Sequence, residues 1–129
     1  MRRINTSVIA ICLALGLVAT SPTIGRAQDE TIKVAPDVLV ISSHGTKVTI
    51  HSNIPAGTVN VSTLELSIDG IGHLTPISTF ADARGQLVAK FDMEEVKGLV
   101  AVPSAELTLY GVYFEGGDFS ATDVIEVKE

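Results

Sequence analysis

The chain has one cysteine, no tryptophan and few aromatics, 5% of 129 residues. The cysteine, Cys12, sits in an N-terminal stretch with the marks of an export signal. Arg2 and Arg3 form a positive start, Val8 to Ala19 is apolar, and Gly25-Arg26-Ala27 offers the small residues of a cleavage site. Residues 1–27 are therefore expected to be a signal peptide. The apolar run holds about a dozen residues, short of the roughly 18 that a spanning helix needs. Cys12 lies too early for lipid attachment, and Ile11 before it is not small. Cleavage after Ala27 would remove the only thiol. That excludes disulfides, a cysteine nucleophile and cysteine-ligated zinc from the mature chain, which must hold together by its core.

Positive charge is also scarce. Nine Lys and Arg face fifteen Asp and Glu, a net charge of −6. Without Arg2, Arg3 and Arg26 the basic count is six and the net is about −9. Such a chain repels nucleic acid and anionic lipid, so neither is expected as a partner once the signal is cut. It attracts cations. Catalytic signatures are missing as well. There is no Gly-x-Ser-x-Gly elbow, Walker loop or dinucleotide fingerprint. His44, His51 and His73 lack metal-ligand spacing, although His44 and His51 would approach each other across a hairpin. Glu94 and Glu95 are adjacent, so on a helix they point apart. No catalytic residue, cofactor or metal ligand is assigned from the sequence.

What is present is a series of short strand patterns. Residues 28–36 are polar and mixed, and read as a flexible leader or an early edge segment. The domain proper is set at 37–129. Val38 to Ile41 is a continuous apolar run, suited to burial on both faces or to a crossover. Lys47 to His51 alternates, as a half-buried strand does. His44-Gly45-Thr46 between them is short enough for a hairpin. Residues 52–62, with Pro55, Gly57 and Asn60, read as a loop. Leu64 to Ile68 alternates and ends at Asp69-Gly70, a strong turn signal. Ile77 to Phe80 is a short strand. The turn Asp82-Ala83-Arg84-Gly85 leads into Gln86 to Phe91, with Phe80 and Phe91 as core anchors on its two sides. Asp92-Met93-Glu94-Glu95 has the form of a capping box opening a short helix. Ala105 to Phe114 and Phe119 to Val127 are long strands around Glu115-Gly116-Gly117-Asp118. About seven strands and one short crossover helix predict an all-β, antiparallel immunoglobulin-like β-sandwich, with the Asp82 turn dividing its two halves.

The second half of the chain resembles bacterial secreted immunoglobulin-like β-sandwich modules. The resemblance rests on Phe80-Ala81-Asp82-Ala83-Arg84-Gly85, on Leu107-Thr108-Leu109-Tyr110-Gly111, and on Phe119 to Val127 with its Phe-x-Ala-x-Asp-x-Ile-x-Val pattern. It covers about 48 residues and implies an accessory role outside the cytoplasm, with no catalytic activity. Many such modules carry a calcium-type turn at this point. Here Arg84 and Gln86 stand where ligands would be needed, so the turn reads as structural, with Gly85 at positive φ.

Two further features stand out. Asp123 shares its alternation face with Phe119, Ala121, Ile125 and Val127. A carboxylate there needs a bulge to re-aim it, backbone N–H donors, or a cation, for which Arg84 is the candidate. Tyr110, Val112 and Phe114 lie opposite Leu107 and Leu109. They form an outward binding stripe, unless a bulge at Gly111 swaps the faces. The sequence thus predicts a secreted or periplasmic, non-catalytic binding or structural domain with an unidentified protein partner. Homodimerisation through an edge strand is compatible with it. The alternatives are a divalent-cation-stabilised accessory module and a small extracytoplasmic enzyme.

Overall fold

The computed structural model describes residues 30–129, so the expected signal peptide and its cleavage site lie outside the described residues. Among these residues nine strands run in chain order: β1 (Ile32–Ala35), β2 (Val38–Val40), β3 (Lys47–Pro55), β4 (Val59–Ile68), β5 (Ile71–Leu74), β6 (Ser78–Ala81), β7 (Gln86–Asp92), β8 (Ser104–Tyr113) and β9 (Asp118–Lys128). Among the described residues a single 3-10 turn, Ala56–Thr58, links β3 to β4, and one helix, α1 (Met93–Lys97), follows β7. The strands form two sheets, in the orders β2-β9-β8-β4-β5 and β1-β3-β7-β6. Every pairing is antiparallel except β2 with β9. The fold is the expected all-β sandwich.

The core follows from period-two alternation on the inner faces. Val48, Ile50 and Ile54 of β3 meet Leu87, Ala89 and Phe91 of β7 within one sheet. Opposite them lie Leu64, Leu66 and Ile68 of β4, Leu107 and Leu109 of β8, and Ile125 and Val127 of β9, all buried. Met93 and Val96 of α1 join this cluster.

Several expectations are corrected. The chain does not divide at the Asp82 turn, because each sheet takes strands from both sides of it. That turn joins β6 to β7, neighbours in one sheet. Residues 28–36 are not simply a leader. Within them Ile32–Ala35 forms an edge strand on β3, with Ile32 and Val34 buried, so the ordered domain starts before residue 37. The segment around His44-Gly45-Thr46 makes no hairpin. It crosses from β2 in one sheet to β3 in the other, which separates the strands that would have brought His44 and His51 together.

Residues 52–62 are mostly strand as well. Pro55 and Asn60 fall at register shifts inside the sheets, and Gly57 lies in the 3-10 turn that joins β3 to β4. β3 shifts register against β7 between His51 and Pro55. At that shift the Ser52 hydroxyl donates to the Leu87 carbonyl at 2.7 Å and accepts the Ile54 N–H at 3.2 Å, standing in for the interrupted ladder. Asp92 is the N-cap residue of α1, but its side chain makes no capping hydrogen bond. The Met93 N–H is taken instead by the Thr46 carbonyl.

Phe80 and Phe91 have different fates. Phe91 is fully buried, whereas Phe80 is 47% exposed. Pairing explains the difference. Phe80 sits opposite Val88, which is itself buried but lies outside the contiguous core cluster that takes Leu87, Ala89 and Phe91. The Lys90 ammonium lies 5.6 Å from the centre of the Phe80 ring.

Candidate binding face

The Asp82 turn is closed by its own side chain. The Asp82 carboxylate accepts the Arg84 N–H at 2.8 Å and the Gln86 N–H at 3.0 Å. The Asp82 carbonyl accepts the Gly85 N–H, and Gly85 has φ +80°. One carboxylate oxygen thus serves the backbone, as in an Asx turn. The Gln86 N–H, then the Arg84 N–H, the Arg84 charge and the His51 charge hold the Asp82 carboxyl below its ordinary value, against some desolvation. Arg84 itself is exposed.

Asp123 and Arg84 are not brought together. Asp123 is half-buried, and its carboxylate accepts the Val34 N–H of β1 at 2.9 Å and the Val124 N–H at 3.0 Å. β1 is an edge strand of the other sheet. Asp123 therefore ties the two sheets by satisfying a part-buried backbone donor on the edge strand of the other sheet.

β8 keeps strict alternation through Gly111. Ala105, Leu107, Leu109 and Gly111 are buried, while Tyr110 is 44% and Val112 41% exposed. Gly111 does not swap the faces. It lets the sheets close: a Cβ there would stand 2.6 Å from the Phe119 ring and 2.9 Å from a Leu64 methyl. Phe114 is 67% exposed but lies beyond the end of β8. It lines a separate cleft of about 400 Å³ with Pro55, Thr58 and Glu115. The stripe read from the sequence is therefore split, with Tyr110 and Val112 on the sheet face and Phe114 at the sheet's end.

Tyr110 and Val112 border a groove of about 910 Å³ on the outer face of the five-stranded sheet. A bulge in β4 shapes it. Pairing with β8 shifts between Asn60 and Glu65, opposite Gly111. The Thr63 hydroxyl donates to the Asn60 carbonyl and accepts the Val112 N–H, holding the bulge in place. Glu30, Glu65, His73 and Asp118 add polar groups to the wall, with His73 Nδ1 and Glu65 Oε1 3.2 Å apart. The groove thus combines the rings of Tyr110 and Phe119, an aliphatic side chain and carboxylates, with no Lys or Arg in its lining.

No known family model matches the chain, and no curated protein does. Among solved structures the chain is similar to CopC from Methylosinus trichosporium OB3b, with 14% identity and a TM-score of 0.45. The match covers 77% of this chain and 93% of that one. A likeness of that size transfers no residue role.

Sequence reading missed Glu65, His73 and Asp118 as groove residues. Each is an ordinary outward polar position. Only the pairing of Glu65 with Tyr110, and of Asp118 with Val112, gathers them around the ring. No group of three or more His, Cys, Asp or Glu side chains in metal-holding arrangement occurs among the described residues.

Proposed function

We propose that this is a non-catalytic binding or structural domain, secreted or periplasmic, acting through protein contacts on the outer face of the five-stranded sheet. The observation that carries the reading is the groove beside Tyr110 and Val112, a concave, half-apolar site on a rigid sheet. Aromatic residues over a regular scaffold suit protein recognition, because a ring supplies contact area at little entropic cost. The bulge and Gly111 fix the groove's shape from below, so the site is preformed. The export-signal pattern at residues 1–27 supports the address. Among the described residues no helix is long and apolar enough to cross a membrane.

The test is a photo-reactive residue placed at position 110 or 112 in cells that express the full chain, with position 84 on the Asp82 turn as control. Discrete protein adducts at 110 and 112, and none at 84, are expected. Adducts of equal strength at 84, or none at 110 and 112, would overturn the reading.

A further inference from the structure

We infer that the partner taken by this face is a second copy of the same chain, stacked head to tail through the sandwich's opposite face. The inference rests on the binding-face reading above and names its occupant. It comes from the charges that strand register places on the two outer faces. On the five-stranded sheet, Glu65 shares a row with Tyr110 and Ser120, Asp118 stands opposite Val112, and Glu106 opposite Val124. Glu126 lies further along β9. All alternate with buried residues and so point outward. Four carboxylates against Lys128 leave that face with three negative charges.

The four-stranded sheet is the reverse. Lys33, His51, Val88 and Phe80 form one row, Lys90 lies between Thr49 and Ser78, and Lys47 is opposite Asp92. Three lysines against one carboxylate leave two positive charges. This is a cationic face on a chain whose net charge is −6. Phe80 beneath Lys90 gives it an exposed aromatic centre, as Tyr110 does on the acidic face.

The two faces lie on opposite sides of one sandwich, so they cannot meet within a molecule. Like faces repel, which disfavours a two-fold dimer through either. Unlike faces attract, which gives a heterologous, head-to-tail contact that can repeat. The area bounds its strength. Four strands about 4.8 Å apart and five residues about 3.4 Å apart present about 300 Å² in projection, against about 800 Å² per partner in a standard stable complex. The association is therefore weak, concentration-dependent and sensitive to salt.

Sedimentation of the purified protein tests this, over a concentration series at about 0.05 M and about 0.5 M salt. Growth beyond the monomer is expected, with apparent association about tenfold weaker or more at the higher salt, where screening shortens to a few ångströms. Two double variants assign the faces. Lys33→Gln with Lys90→Gln removes one half of the contact, and Glu65→Gln with Glu106→Gln removes the other. All four side chains lie on outer faces, and thermal melts check that both variants fold.

Each variant alone should stay monomeric. Mixed in equal amounts they should form a dimer that grows no further, since only one complementary pair of faces remains. A wild-type chain monomeric under all conditions, a lysine variant that associates like wild type, or a mixture that stays monomeric would overturn the inference. The crosslinks separate it from the binding-face reading. Adducts at 110 with the mass of a different protein, beside a monomeric wild type, would leave that reading standing and remove the self-assembly. Adducts of twice the chain mass would support both.

Discussion

The two outer faces of this sandwich are built on the same inner pattern and end up chemically unlike each other. Inside, both sheets set apolar residues at alternate positions, interrupted at the register shifts of β3 and β4. Outside, the five-stranded sheet carries carboxylates, Tyr110, Val112 and a groove, while the four-stranded sheet carries lysines around Phe80. Burial fixes the inner residues, so they report the fold. The outward residues are under no such constraint, and the proposed recognition rests on their difference.

The contrast breaks most sharply at the two phenylalanines of β6 and β7. Phe91→Ala empties a fully buried site and should destabilise the domain by about 3–5 kcal/mol. Phe80→Ala removes an exposed ring and should cost less than about 1 kcal/mol. Thermal or chemical denaturation of both variants checks the pair, and equal losses would mean that Phe80 belongs to the core. Gly111→Ala comes next. Its added methyl meets the Phe119 ring and Leu64, so a loss of about 1–3 kcal/mol is expected from overpacking, together with distortion of the groove above it.

Asp123→Ala should cost about 1–2 kcal/mol, since it leaves the Val34 N–H without its acceptor at the edge of the other sheet. Arg84→Ala should leave the melting temperature unchanged, because the Asp123 carboxylate is held by backbone donors. A loss with Arg84→Ala equal to that of Asp123→Ala would restore the charge pair. The smallest effect belongs to Asp82→Asn. The amide oxygen can still accept both turn N–H groups, so only the charge is lost. A carboxyl held below its ordinary value in the fold stabilises the folded state above the unfolded carboxylate's range. That contribution fades as pH falls through the depressed folded value. The wild-type advantage over Asp82→Asn should therefore be present at neutral pH and close in acid, as melting temperatures measured across pH would show.

Much of this was legible in the sequence, because alternation and turn residues are local. Leu107 and Leu109 on one side, with Tyr110 and Val112 on the other, follow from period two alone. The turns at Asp69-Gly70 and Gly116-Gly117 follow from their own residues, and φ is positive at each of the four. Sheet membership was not legible. The parallel pairing of β2 with β9 joins segments nearly ninety residues apart, and no local pattern encodes it. The stretch 52–62 misread as a loop for a physical reason. Ser52 and Thr63 do with hydroxyls what the backbone does elsewhere, so turn-forming residues sit inside strands. Phe80 misread because hydrophobicity alone cannot tell an inward from an outward position on a short edge strand. The groove stayed hidden because Glu65, Tyr110 and Asp118 converge only through register.

Recognition through the two outer faces is tested most directly by amide chemical shifts followed along a dilution series at low salt. Shifts should gather on outward positions of β4, β8 and β9 around Tyr110, and on outward positions of β3 and β7 around Lys90, and should vanish at high salt. Shifts confined to the Asp82 turn or to the open edge at Ser78–Ala81, with both faces silent, would contradict it.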